Sequence, residues 1–280
     1  MTTVSRGLDS QGYIAREGAL GRIQDGFRPV VAAARDQVAD VFGKRLDSAY
    51  LYGSVPRGTA RAGRSDLDLL LVLRAEPTAA DRADADAVAA AVDGGFAEVD
   101  GVGILLESRE RVLSELETYD LGWFVACLCT PLLGEDLAEF LPRYRPDTLL
   151  ARETNGDLAL VLPRWREQAA AAAGDEARLR ALCRVAARRL VRTGFTLVMP
   201  RWGGWTSDLT EMAEAFGQYY PEWAGRARAA VDMAYEPVGD AGALRELVDG
   251  FGEWLVGEYA AVHGVKAPRP QGRAHPSDRS

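Results

Sequence analysis

Apolar residues recur at three-and-four spacing between residues 19 and 42: Ile23, Phe27, Val30, Val31, Ala34, Val38 and Val41 fall on one side of a helix. Gly43 is a suitable stop for it. Beyond that glycine the period shortens. Residues 49–52 (Ala-Tyr-Leu-Tyr) and 66–73 (Asp-Leu-Asp-Leu-Leu-Leu-Val-Leu) predict two strands, joined over residues 53–63 by a turn with a short helix. An Ala- and Asp-rich helix is expected over residues 78–92, closed by Gly94-Gly95, and a third strand over residues 96–106. Strands alternating with helices in this order point to an α/β unit.

After Arg109 the periodicity is helical almost throughout, with segments expected over residues 111–121, 122–133, 148–172, 176–199, 209–219, 222–235 and 241–262. Pro131, Pro142, Pro146, Pro200, Pro221 and Pro237 stand at or near the breaks, where a missing N–H is tolerated. The fold class is therefore α+β: an N-terminal sheet domain over residues 1–145 and a helical bundle over residues 146–265. Residues 266–280 hold Pro, Gly, Arg, Ser and Asp but no large apolar side chain, the composition of a disordered tail.

Composition narrows the partners. With 280 residues, 48% of them hydrophobic, the chain can bury a full core. A net charge of −8 argues against a duplex-binding surface and suits a cationic small molecule. The only lysines are Lys44 and Lys266, so a phosphate-binding cation here is expected to be arginine. Three cysteines, Cys127, Cys129 and Cys183, are too few for a disulfide framework and fit a reduced, cytoplasmic setting. No apolar run nears the ~20 residues that span a bilayer, and the N-terminus lacks the apolar core of a signal peptide.

The chemistry concentrates between residues 52 and 68. Tyr52-Gly53-Ser54 ends one strand in a Gly-Ser turn, which can offer backbone N–H groups to a phosphate. Asp66 and Asp68, one residue apart, point the same way at the start of the next strand while Leu67, Leu69, Leu71 and Leu73 point the other way. Carboxylates about 6–7 Å apart at their Cα atoms fit a pair of Mg²⁺ ions ~3.5–4 Å apart. The plainer reading of Asp66-x-Asp68 is an exposed acidic pair at the start of an edge strand. Elsewhere, Arg180, Arg184, Arg188 and Arg192 form a stripe of like charge that wants acidic neighbours or an anion. Trp202 and Trp205 flank two glycines, placed to plug a helix junction or to stack on a ring. Cys127 and Cys129 lack zinc-type companions, and the only histidines, His263 and His275, lie at the end of the last helix and in the tail, which argues against a histidine-dependent nucleophile.

The turn followed a dozen residues later by an acid-apolar-acid triplet resembles the signature of the nucleotidyltransferase superfamily that includes DNA polymerase beta. Its pairing with a helical C-terminal half looks most like the aminoglycoside nucleotidyltransferases (adenylyltransferases). The resemblance implies a polymerase-beta-like N-terminal domain, Mg²⁺ held by Asp66 and Asp68, and ATP or another nucleoside triphosphate as co-substrate. It also implies a third carboxylate on the next strand, for which Asp100 is preferred and Glu98 is the alternative. Gly53 and Ser54 would hold the triphosphate and Arg57 would follow in the Gly-Ser-x-x-Arg-Gly order. Ser65 would orient the turn, and Arg189 or Arg201 would close over the phosphates. The reaction implied is transfer of a nucleoside monophosphate, AMP in the first instance, to a hydroxyl of a small cationic acceptor such as an aminoglycoside, with release of pyrophosphate. The enzyme would be a monomer or homodimer with no nucleic-acid or membrane partner. Two alternatives stay open: a protein-modifying transferase of toxin–antitoxin type, and an inert nucleotide-binding regulator.

Overall fold

The computed structural model describes residues 6–267. They form two compact units, one of residues 14–144 and one of residues 6–13 with residues 145–267. The break after Tyr144 lies beside the expected boundary, but the N-terminal stretch belongs to the helical unit and not to the sheet unit. There Trp205 N–H donates to the Arg6 carbonyl at 2.8 Å, and the Arg6 guanidinium lies 4.9 Å from the centre of the Trp202 ring.

The sheet unit holds four strands, β1 (Leu46–Tyr52), β2 (Leu67–Leu73), β3 (Val102–Ser108) and β4 (Thr130–Gly134), in the order β3-β2-β1-β4. β1 runs antiparallel to both β2 and β4, while β2 and β3 are parallel. Helices α1 (Arg28–Phe42), α2 (Ser54–Arg57), α3 (Ala79–Asp93) and α4 (Arg109–Val112) complete it. Alternation along β2 divides its side chains between two cores. Leu67, Leu69, Leu71 and Leu73 join Val30, Ala34 and Val38 of α1 and Val88 and Val92 of α3. Leu70 and Val72 join Tyr50, Val112, Val125 and Leu137 on the opposite face. α3 opens with a full capping box, Thr78 and Asp81 each accepting from the other's backbone N–H.

Four expectations for this unit change. The first helix starts at Arg28, with Pro29 in its first turn, and residues 20–27 contribute only short 3₁₀ turns. β1 is three residues longer at its start than expected. The third strand begins at Val102, not at residue 96. The helices expected over residues 111–121 and 122–133 are instead α4, a 3₁₀ turn (Glu115–Glu117) and two π-helical turns (Thr118–Gly122 and Phe124–Leu128), followed by β4. β4 lies at the sheet edge, where Pro131 removes no ladder bond that the sheet needs.

In the helical unit α5 (Thr148–Asn155) and α6 (Leu158–Ala171) replace one expected helix. They part at Gly156, where a β-carbon would stand 2.5 Å from the Arg152 carbonyl. The central α7 (Glu176–Trp202) runs through Pro200, past the expected end at residue 199, and stops at Gly203, whose φ of +71° suits a left-handed cap. α8 (Leu209–Tyr219), α9 (Ala224–Tyr235), α10 (Ala241–Glu246) and α11 (Glu253–His263) follow, the last two joined by a π-helical segment, Leu247–Gly252. Lys266, expected in a disordered tail, is instead 4% exposed, and its N–H donates to the Gly156 carbonyl at 3.1 Å. Residues 268–280, the rest of that expected tail and the site of His275, lie outside the described residues. Among the described residues no helix is long and apolar enough to cross a membrane.

Candidate active site

β1 delivers the Gly-Ser turn and β2 delivers the aspartates, and the ladder brings them together. Tyr52 pairs with Asp68 across the antiparallel strands, so Gly53 is the first residue past the pair. Gly53 has φ 80° and ψ −152°, a region closed to residues with a side chain. A β-carbon there would stand 2.5 Å from Asp68 Oδ2. Ser54 opens α2, a single turn closed by the left-handed Gly58, whose N–H reaches the Ser54 and Val55 carbonyls.

On the other side of β2, the parallel ladder sets Asp68 against Gly103. A β-carbon on Gly103 would lie 3.3 Å from Asp68 Oδ1, and one on Gly101 would lie 3.5 Å from Asp66 Oδ1. The two carboxylates therefore both lean over glycines of β3 and its approach, on the face that also carries Leu70 and Val72. Asp66 is exposed and Asp68 half-buried. The Tyr52 phenol sits beside them, its ring edge-on to Phe124 at 5.0 Å. Burial, and then the charge of Asp68 with a smaller contribution from Asp66, holds that phenol's pKa well above its ordinary value, so it stays protonated.

The remaining expected residues fall in different places. Ser65 closes its own loop: its hydroxyl accepts the Arg61 N–H at 2.9 Å, and its N–H donates to the Arg61 carbonyl at 3.0 Å. Arg57 follows the turn and pairs with Glu17 at 3.4 Å. Asp100 is exposed and lies before β3, where its backbone N–H donates to the Ser65 carbonyl at 3.1 Å. Glu98 lies in a turn, its carbonyl accepting the Gly63 N–H at 2.9 Å. Neither acid stands on β3, and among the described residues no three Asp, Glu, His or Cys side chains gather as a metal would need. The positions of β3 and its approach that face the aspartates are Gly103 and Gly101.

The two arginines expected over the phosphates belong to the helical unit. Arg189 is 4% exposed, and its NH2 group reaches Asp157 Oδ1 at 2.5 Å and the Thr154 carbonyl at 3.2 Å. That pairing makes it a core residue of its unit. Arg201 is exposed, donates to the Tyr220 hydroxyl at 3.1 Å and lies over the rings of Tyr219 and Tyr220. Trp202 and Trp205 are both 6% exposed and pack edge-on against Phe195, plugging a helix junction. The sequence gives no sign of Glu17, and it offers Gly101 and Gly103 only as residues that carry the third strand onward. The Gly-x-Gly spacing is the one signal that marked the latter pair, since alternate positions of a strand share a face.

With this geometry in hand, residues 34–116 match the family described as the nucleotidyltransferase domain. The matched stretch holds β1, the Gly-Ser turn, β2 with its two aspartates, and β3, so this part of the chain is similar to a nucleotidyltransferase domain. A solved structure that aligns with it is spectinomycin adenyltransferase AAD(9) from Enterococcus faecialis with ATP and spectinomycin, at 15% identity and a TM-score of 0.49, over 82% of this chain and 98% of that one. No curated protein matches the chain in sequence.

Proposed function

We propose that the protein moves the nucleoside monophosphate of a nucleoside triphosphate, AMP from ATP, onto a hydroxyl of a small cationic acceptor of the aminoglycoside kind. The acceptor oxygen forms a bond to the α-phosphorus as the bond from that phosphorus to the bridging oxygen of the β-phosphate breaks. Pyrophosphate leaves and the hydroxyl proton is released. The observation that carries this reading is the contact of the Gly53 turn with Asp68, and of Asp66 and Asp68 with the glycine-floored space beside them.

That space suits a divalent cation. Two hard oxygen donors stand there, and the missing β-carbons at positions 53, 101 and 103 let the backbone approach both carboxylates closely. Asp66 and Asp68 would hold Mg²⁺, which when bound neutralises charge on the triphosphate. Gly53 and Ser54 present the turn's backbone to the phosphates, and Arg57, partnered by Glu17, adds a planar cation. Tyr52, kept neutral, walls the site without adding negative charge. The chain supplies no covalent nucleophile in this scheme, so rate enhancement rests on positioning and charge. A surplus of eight negative charges favours a polycationic acceptor.

One observation favours a second reading, a nucleotide-binding regulator without turnover: no third acid joins Asp66 and Asp68 among the described residues. A pyrophosphate-release screen of the four ribonucleoside triphosphates against aminoglycosides and related amino sugars separates the two. Release that is lost in a folded Asp68→Asn variant supports transfer. Calorimetric binding of ATP with Mg²⁺, without release against any acceptor, supports the regulator. Full activity in Asp68→Asn removes the proposed mechanism.

A further inference from the structure

Four residues that precede α1 are laid tightly over the sheet unit. Arg16 forks onto both Asp136 oxygens, at 2.7 and 3.0 Å. Glu17 N–H donates to the Cys127 carbonyl at 2.9 Å, and Ala19 N–H donates to the Pro56 carbonyl at 3.0 Å. Gly18, between them, is buried, and a β-carbon there would stand 2.3 Å from Thr130 Oγ1 and 2.9 Å from Pro56 Cβ. Gly18 has no positive φ, so the closeness of its neighbours, and not its own backbone conformation, calls for glycine. Residues 16–19 thus form a strap from the π-helical turn before β4 to the one-turn helix α2.

A single side chain of this strap meets a residue of the candidate site. The Glu17 carboxylate pairs with Arg57 at 3.4 Å, its side chain 13% exposed against 31% for the arginine. The carboxylate is therefore the better-held member of the pair, with its backbone bonded to Cys127 and locked beside Gly18. Arg57 is the last residue of α2, three after Ser54, a spacing that sets both side chains on one side of the turn. A guanidinium on a long stem loses freedom when it grips an anion, and a partner that fixes it beforehand lowers that loss. Its five N–H donors let it keep a carboxylate and still reach phosphate oxygens.

We infer that Glu17 is a positioning residue of the nucleotide site: carried by the strap, it fixes the Arg57 guanidinium beside the Gly-Ser turn and so sets the affinity for the triphosphate. This rests on the nucleotidyltransferase reading above and deepens it, because it ties nucleotide binding to a residue that lies before the matched stretch of residues 34–116.

The test is a calorimetric titration of the full chain with α,β-methylene ATP and Mg²⁺. Glu17→Gln keeps the shape of the side chain and removes its charge. The expected result is a Kd raised about 10-fold, the size of a lost hydrogen bond between charged groups. Arg57→Gln raises it by a similar factor, and the double variant binds no more weakly than Arg57→Gln alone, because the two residues act through one contact. A purely structural role for Glu17 would weaken the double variant further. Asp68→Asn abolishes the Mg²⁺-dependent binding. Binding in Glu17→Gln as tight as in the wild type, or tighter because the carboxylate competes with the triphosphate, overturns the inference and leaves the reading of the site standing. So does a double variant weaker than Arg57→Gln. Should Glu17→Gln melt too low to titrate, Arg57→Gln decides alone: an unchanged Kd there overturns the inference, and a raised one supports it. Analogue binding that is absent from the wild type, or unchanged in Asp68→Asn, overturns both.

Discussion

Gly53 turns the chain back against the Asp68 carboxylate so closely that only a hydrogen fits where another residue would carry its side chain. The contact ties the Gly-Ser turn to the Asp68 side chain: neither can shift without the other. Gly53→Ala therefore acts twice. It forces a β-carbon into the ε region of backbone space, at a cost of about 1–3 kcal/mol, and it pushes Asp68 off its line. The expected outcome is a folded protein with a lower melting temperature and nucleotidyl transfer reduced at least ~100-fold, since displacements near 1 Å at a reacting centre cost that much. Steady-state kinetics beside a thermal melt check it. Wild-type kcat/KM in this variant would show that the turn is not part of the site.

Arg189 and Asp157 make a different claim testable. Their pairing inside the helical unit predicts a stability role for an arginine that the sequence offered as a phosphate ligand. Arg189→Met strands the partly buried Asp157 carboxylate and leaves the Thr154 carbonyl without this donor, a loss expected at roughly 3 kcal/mol. Urea denaturation should register that loss while the KM for ATP stays within about twofold of wild type, the scatter usual for such comparisons. A large rise in KM with unchanged stability would return Arg189 to the phosphates.

The sequence made some of this legible and hid the rest for identifiable reasons. Residues 66–73 announced a strand because four leucines alternate in step with two aspartates, and the pleat leaves that pattern one way to face. The expected start of the Ala- and Asp-rich helix at residue 78 holds, and there the capping box of Thr78 and Asp81 fixes it by local chemistry. The start of β3 was misjudged because Phe96 and Val99 are apolar for another purpose: Val99 is 6% exposed and joins the α1–α3 core from a turn. Apolar content was mistaken for strand, and the error carried Asp100 onto the sheet. β4 was hidden because Thr130 to Leu133 reads equally as helix, and only pairing with β1 decides it. Long-range pairs such as Glu17 with Arg57 left no periodic trace at all. Arg189 adjoins the stripe of Arg180, Arg184, Arg188 and Arg192, and arginine spacing says nothing about which arginine the fold will bury.

Tyr50 offers a test of the core independent of the chemistry. Its ring is fully buried, its hydroxyl donates to the Glu135 carbonyl at 3.2 Å and accepts the Leu137 N–H at 2.7 Å, and burial lifts its pKa to about 12. The phenol thus fixes the chain just after β4 by two bonds to backbone. Tyr50→Phe keeps the ring and leaves the Leu137 N–H buried without this acceptor, which costs ~1–3 kcal/mol. Chemical denaturation should detect the loss, and transfer kinetics should not change, because the hydroxyl faces β4 and not the aspartates. A fall in kcat comparable to that of Asp68→Asn would mean that the β4 end of the sheet takes part in the site.

His263 sets how the helical unit responds to acid. Its Nε2 lies 2.9 Å from the Leu197 carbonyl, in the stretch of α7 where Pro200 has removed the N–H that would otherwise serve Thr196. The ring packs 5.1 Å from that of Tyr259 and is 6% exposed. Nδ1 is buried with no hydrogen-bond partner among the described residues, so a second ring proton has nothing to bond. Burial lowers the pKa of this histidine from its ordinary 6.5, with the Arg201 charge acting in the same direction and the hydrogen bond to Leu197 opposing them. The unfolded chain then binds the proton more readily than the folded one, so stability rises with pH across the interval between the two pKa values. The contribution is complete above pH 6.5 and is lost as pH falls toward and through the folded value. Urea midpoints measured from pH 7.5 down to pH 5.5 should fall, and His263→Gln, which keeps a donor for the α7 carbonyl but cannot titrate, should flatten that part of the slope. A slope unchanged in His263→Gln would assign the acid sensitivity to other groups, and a midpoint that rises on acidification would mean that the folded protein takes up the proton more readily than the unfolded chain.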